Sequence, residues 1–403
     1  MKRMGFKEFL FILPAIILIA FFSLWPIYKV INYSVFDYQL NDQQKSKLST
    51  EEKFNVDLFM ENADYVSMFL DMNRMSFPED TQVKVDEVIN HVNSFKELLN
   101  GQSGFIELNG SLKKQINSNF EKLSSEVEFF TGSYDFPDKE NLVLIMEDMK
   151  KCYVRSNFIG LKGYTEAFKD QRVHDALGHT VVFTVISVAL ELLLGLGLAI
   201  IMNKAMKGQG LVRAVSLIPW AIPTTVAALM WSYLYDGTSG IIAHIMQVLN
   251  IVGDSRDVLL SGSGAMASAI LADVWKTTPY MALLILAGFQ TIPGVVYESA
   301  KVDGSGVLNT FFKITLPLLK PSILVALLMR TLDAFRVFDL IYVLTGGGPG
   351  GATETMSIYA YKTMFQQTNF GYGSIVVILM VVFVAIIATF YIKILGANVM
   401  ERD

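Results

Sequence analysis

Ionisable side chains interrupt stretches otherwise apolar enough to cross a bilayer, among them Glu191, Arg330, Asp333, Arg336 and Asp339. A charge in such a place is costly and marks a functional position by default. Arg330 and Asp333, Asp333 and Arg336, and Arg336 and Asp339 are each three residues apart. All four can therefore neutralise one another as a ladder along one helix. The other reading is a polar stripe facing a pathway. Glu191 stands alone in its block, and its two readings are a hydrogen bond to a neighbouring helix, with the glutamate protonated, and a pathway role. Other chemistry is sparse. The chain has no G-x-x-x-x-G-K-[ST] phosphate loop. His91, His174, His179 and His244 are too scattered for metal-ligand spacing, and the single cysteine, Cys152, reads as a passive residue. A catalytic reading has little to stand on.

A second polar feature runs through residues 298–317. Pro293 can open a helix whose first turns include Glu298, and Asp303 with Gly304 breaks it with turn chemistry. Val307, Leu308, Phe311, Phe312 and Ile314 then pattern as a second amphipathic helix, with Pro317 expected to end it. The stretch reads either as a polar loop between spans or as a knob whose apolar face fits another protein's cleft.

The elements that hold these residues follow from composition. The chain is 52% hydrophobic and 18% charged, against about a quarter charged in soluble domains, and its apolar runs approach 20 residues. Such runs occupy about 9–28, 178–202, 214–235, 265–290, 321–344 and 374–395, which predicts six spans. Between the first two, residues 41–155 carry 13 basic and 21 acidic side chains, whereas the rest of the chain carries 20 and 17. This acidic insert has three helical patterns: Val85, Val88, Ile89, Val92, Phe95 and Leu99; Leu112, Ile116, Phe120, Leu123, Val127 and Phe130; and Leu142, Ile145, Met146 and Met149. Basic residues set the orientation. Lys2, Arg3, Lys7, Lys204, Lys207, Arg213, Lys301, Lys313, Lys320, Lys393 and Arg402 fall on one side, whereas the short loops 237–264 and 346–371 hold only Arg256 and Lys362. The positive-inside rule then puts both termini and 298–317 in the cytoplasm and the insert outside. No inverted repeat is visible, which weighs against a secondary transporter.

Glu298, Ser299 and Ala300, then Gly304, then Ile314, Leu316 and Pro317 stand at a spacing that resembles the EAA loop of permease subunits in binding-protein-dependent ABC importers. Asp303 before the glycine is similar to the carbohydrate-uptake branch, and Ser299 replaces the usual alanine. Residues 158–168 resemble the start of that family's core. Leu344 to Pro349, with Thr353, Glu354 and Thr355, resemble its maltose-type and glycerol-phosphate-type first permease. The insert has no counterpart in the usual six-helix members.

The resemblance implies an all-α polytopic membrane protein with six transmembrane helices and an extracytoplasmic helical insert between helices 1 and 2. Its parts would be residues 1–40, the first helix; 41–155, the insert; and 156–403, a permease core with its coupling loop at 293–320. The implied function is the translocation pathway of an ATP-driven sugar importer in a bacterial or archaeal cytoplasmic membrane, without an enzyme site of its own. ATP and Mg would be bound by a separate ATPase. The implied partners are a second permease subunit, two copies of that cytoplasmic ATPase, an extracytoplasmic sugar-binding protein and membrane lipid; nothing implies nucleic acid. Coupling to the ATPase would fall on Glu298, Ser299, Ala300, Asp303, Gly304, Ile314, Leu316 and Pro317. Sugar contacts, matched to the maltose permease, would fall on Trp220, Thr224, Asp273, Thr277, Tyr280, Asp333, Ala334 and Val337, with Lys276 adjacent. Trp220 and Tyr280 can stack on a sugar's C–H face, and Asp273 can accept from hydroxyls. A membrane-anchored signalling or docking protein that uses the insert is the alternative.

Overall fold

A proline breaks one of the expected spans, whereas other spans accommodate theirs. The computed structural model describes residues 6–42, 45–204 and 207–400; Lys2, Arg3 and Arg402, counted above for orientation, lie outside them. The first span is α1 (Phe6–Ile19), a π-helical turn and α2 (Trp25–Tyr33), and it carries Pro14 and Pro26. The insert follows with α3 (Val56–Met72), α4 (Glu79–Leu98), α5 (Gly110–Ser133) and α6 (Lys139–Lys150). After a short α7 (Lys162–Ala167) comes α8 (Gln171–Asn203).

Among the described residues, five helices are long and apolar enough to cross a membrane: Phe11–Tyr33, Gln171–Asn203, Gly262–Gln290, Val307–Phe335 and Phe370–Ile394. The expected sixth, 214–235, is broken. It is divided among α9 (Gln209–Ser216), α10 (Ile218–Ala221) and α11 (Thr224–Leu234). Pro223 causes the second break, because a proline drives the residue before it out of helical geometry, and Ile222 is extended at ψ 133°. The 11 residues of α11 rise only about 16 Å, against about 30 Å of bilayer core.

Two short helices, α12 (Ile241–Val248) and α13 (Asp257–Leu260), lead to α14 (Gly262–Gln290). The stretch expected to couple forms α15 (Gly294–Val302) and α16 (Val307–Thr310), followed by α17 (Leu316–Phe335). Pro317 does not end a helix, contrary to expectation. A π-helical turn at Phe311–Thr315 widens the backbone ahead of it, and the helix runs on through Pro317 within the continuous span Val307–Phe335. The chain closes with α18 (Asp339–Leu344), α19 (Met356–Tyr361) and α20 (Phe370–Met400).

The chain divides into two compact units, Val35–Gly160 and the remainder. In the larger, α8, α14 and α17 pack together around a core that includes Phe183, Met281, Ile285 and Leu319. Gly195 lets α8 approach α14, since a side chain there would strike Met281.

The smaller unit has its own core. Nearly every residue of the three helical patterns is buried in it or packed against it, together with Phe54, Phe59, Leu70 and Cys152. Three short strands add to the helical expectation: β1 (Lys53–Asn55) lies between β2 (Phe105–Glu107) and β3 (Tyr153–Val154), antiparallel to both. Buried Asn157 joins the unit's two ends. Its amide accepts from the Ser49 N–H at 2.9 Å and donates to the carbonyls of Asp37, Lys45 and Lys47 at 3.2–3.3 Å.

Candidate functional site: a buried ion network and an exposed coupling stretch

Arg330 is the centre of the polar site. It comes from the last two turns of α17, and its side chain is only 2% exposed. Its Nε donates to Glu191 Oε2 at 2.5 Å and its Nη2 to Glu191 Oε1 at 2.9 Å, the two-pronged geometry that suits a guanidinium and a carboxylate. Nη2 also meets Asp273 Oδ2, and Nη1 reaches Asp333 Oδ2 at 3.2 Å. Thr277, one turn along α14 from Asp273, donates to Glu191 Oε1 at 2.7 Å. One cation from α17 thus holds carboxylates from α8, α14 and its own helix. Glu191 and Asp273 are buried, whereas the Asp333 side chain is 54% exposed.

Arg330 and Asp333 pair along their helix, as the sequence spacing allows, and Arg336 continues the ladder to Asp333 Oδ1 at 3.5 Å. Asp339 does not join it. The helix stops at Phe335, Arg336 leaves helical geometry at ψ 19°, and Asp339 begins α18, so the three-residue spacing no longer places two side chains on one face. Glu191 does bond to neighbouring helices, but chiefly as one member of an ion pair with Arg330.

Trp220 and Tyr280 stack on each other with ring centroids 5.6 Å apart and planes 14° from parallel. Lys276 Nζ donates to the Trp220 carbonyl at 3.3 Å, which ties α10 to α14 beside the network. Trp220, Asp273, Lys276, Thr277, Tyr280 and Asp333 are therefore linked by contacts or by shared helical turns. Thr224 opens α11 and is half-buried. Ala334 and Val337 go elsewhere: the first is buried in the apolar core and the second packs against it.

In the coupling stretch, α15 ends in a C-cap that needs glycine. Gly304 has φ +75°, its N–H donates to the Lys301 carbonyl, and the Ser305 N–H donates to the Ala300 carbonyl at 2.9 Å. Glu298, Ser299, Asp303, Gly304 and Pro317 are exposed, Ile314 and Leu316 half-buried, and Ala300 buried. Val302, Val307 and Leu308 expose most of their apolar surface in this structure of the single chain.

Sequence reasoning missed a second ion cluster. Glu354 accepts from Arg172 at 2.7 and 3.0 Å and from Lys362 at 2.9 Å, anchoring the loop after α18 to α8 and to the end of α19. Burial opposes ionisation of Glu354, but the two cations prevail and hold its carboxyl below the ordinary value. Asp170 accepts from the hydroxyls of Tyr359 and Tyr372 at 2.9 and 2.5 Å. The signal available was the density of charge and tyrosine around a Gly-rich loop. Arg172, the partner that ties Glu354 to α8, lies 182 residues away from it in sequence.

A polytopic helical protein that buries an ion network among its spans and carries a capped polar helix pair between two of them has the layout of a membrane transport component. The chain belongs to the family of binding-protein-dependent transport system inner membrane components, whose profile matches residues 191–400. It is 44% identical over 237 residues to the trehalose/maltose transport system permease protein MalF of Thermococcus litoralis, covering 59% of this chain and 79% of that one. It is 42% identical over 240 residues to the trehalose transport system permease protein SugA of Mycobacterium tuberculosis, covering 60% and 76%. For the sulfoquinovosyl glycerol transport system permease protein SmoG of Agrobacterium fabrum the identity is 40% over 241 residues, covering 60% and 77%. The fold is similar to that of a chain in a bacterial ABC transporter involved in the import of the acidic polysaccharide alginate. The TM-score is 0.54 and the identity 19%, over 72% of this chain and 99% of that one. These relatives are transport components rather than enzymes, and the chain is a multi-pass membrane protein.

Proposed function

We propose that this chain is the permease subunit of an ATP-driven importer and forms the pathway for a mono- or oligosaccharide delivered by a solute-binding protein. The observation that carries this is the group of Trp220, Tyr280, Lys276 and Asp333 beside the buried network. It offers an aromatic surface with one exposed charged acceptor and one donor, which is the chemistry a sugar ring needs. The names of the trehalose and maltose relatives support the same class. The distribution of basic residues supports cytoplasmic termini and an extracytoplasmic insert.

Coupling is assigned to the exposed part of 298–317, which docks on a separate cytoplasmic ATPase that binds ATP and Mg; a second permease subunit takes a second copy of it. Closure of the ATPases moves the docked helices, and the spans rock between two states. Loaded binding protein favours one of these through contacts the other lacks. The test is uptake of labelled trehalose and maltose into proteoliposomes that contain the chain with its partner subunits and binding protein. ATP inside should drive uptake, and Trp220→Ala should raise KM with ATP hydrolysis retained. Uptake that ignores ATP but collapses with a protonophore would sink the proposal.

A further inference from the structure

The insert has a polar cleft of about 550 Å³ beside β3, within the size range of small-ligand sites. Phe120 and Tyr153 meet edge to face at 5.5 Å and form an apolar corner. Around that corner stand Asn117, Glu121, Lys150 and Arg155, whose side chains have no hydrogen bond or ion pair among the described residues. Lys113, also on the wall, is paired with Glu52 at 2.5 Å. Three of the insert's cations thus converge here, although its charge overall is strongly acidic.

The decisive atom is the Tyr153 hydroxyl. It is buried and has no hydrogen-bond partner, a state that costs free energy unless something else supplies one. Burial, then Cys152, Glu121 and Glu52, all push this phenol up, so it remains a donor.

We infer that this cleft binds a saccharide, apart from any site among the membrane spans. An anion would meet Lys150 and Arg155 but also the carboxylates of Glu52 and Glu121. A pyranose matches both signs, because each hydroxyl donates and accepts, and its C–H face packs on a ring. The site would let an importer hold sugar at the insert before it reaches the spans.

The experiment is saturation-transfer NMR on the full chain in lipid nanodiscs, with maltose and trehalose as probes. It uses a Trp220→Ala background, which weakens any contribution from the spans. Transfer to either sugar should persist in that background and weaken about fivefold with Tyr153→Phe, the worth of one hydrogen bond. Asn117→Ala should have a similar effect without disturbing the core. The inference fails if neither sugar shows transfer in the Trp220→Ala background, or if transfer is indifferent to both cleft substitutions. It also fails if sodium glucuronate binds while both neutral sugars do not, which would identify a plain anion site. A raised KM for uptake in Trp220→Ala, with cleft binding unchanged, supports two separate sites.

Discussion

Replacing Arg330 with methionine tests whether the three packed spans depend on one cation. Arg330 is 2% exposed and serves Glu191, which is wholly buried, and Asp273, which is nearly so. Removing one partner of a buried ion pair costs about 3–5 kcal/mol, because the other charge stays desolvated. Asp333 is half-exposed, and its contact with Arg330 is worth about 0–1 kcal/mol. The losses at Glu191 and Asp273 share a single guanidinium and do not simply add, so about 3–5 kcal/mol is expected in total. For a core of this size that lowers the midpoint of thermal unfolding by on the order of 10 °C. The assay is fluorescence-detected size exclusion after heating of detergent-solubilised protein. The informative comparison is the triple variant Arg330→Met, Glu191→Gln, Asp273→Asn. With no charge left unpaired, it should recover most of the loss, since neutral replacement of a buried ionic group is often harmless. If Arg330→Met unfolds at the wild-type temperature, or the triple variant is no better than the single one, the network is not a buried electrostatic clamp.

Three further outcomes follow from other sites. Gly304→Val should cost about 1–2 kcal/mol at φ +75°, with open space around the new side chain, so insertion survives while ATP hydrolysis separates from uptake; normal coupled transport would refute the docking role. The carboxyl of Glu354 is held below its ordinary value of 4.5, so its contribution to stability is fully present above about that pH and drains away as pH falls through the lowered value. Glu354→Gln should therefore flatten the acid limb of a thermal-unfolding series from neutral to about pH 3, and an unchanged limb would mean that Arg172 and Lys362 do not stabilise the loop. Burial pushes the Cys152 thiol up to about 12, so a maleimide at neutral pH should label it only after the insert unfolds; rapid labelling of the native protein would contradict the packed core described here.

How far the sequence could be read depended on the range of the interaction concerned. Helices with strong local patterns, such as 178–202 and the three runs of the insert, were legible because burial repeats with the helical turn. The strands were not. Each of β1–β3 has two or three residues, too few for alternation to register, and β1 finds its neighbours across about 50 and 100 positions. Prolines were ambiguous in both directions. Pro223 breaks a span that hydropathy alone makes continuous, whereas Pro317 is absorbed because a π-helical turn removes its clash.

The same distinction explains the site. Arg330 and Asp333 could be paired from their spacing, a matter of one helical turn. The partner that decides their role is Glu191, 139 residues away, and no local pattern names it. A net count would have narrowed the choice. Taken with Asp273 and Lys276, the blocks that contain Glu191, Arg330, Asp333, Arg336 and Asp339 hold four carboxylates and three cations. Such nearly balanced numbers favour mutual satisfaction over independent sites, since an isolated charge in a span is costly. That argument also limits the pathway. Glu191, Asp273 and Arg330 consume one another's hydrogen-bonding capacity, so the groups left to meet a passing sugar are those at the network's margin: Asp333, Lys276 and the Trp220–Tyr280 stack.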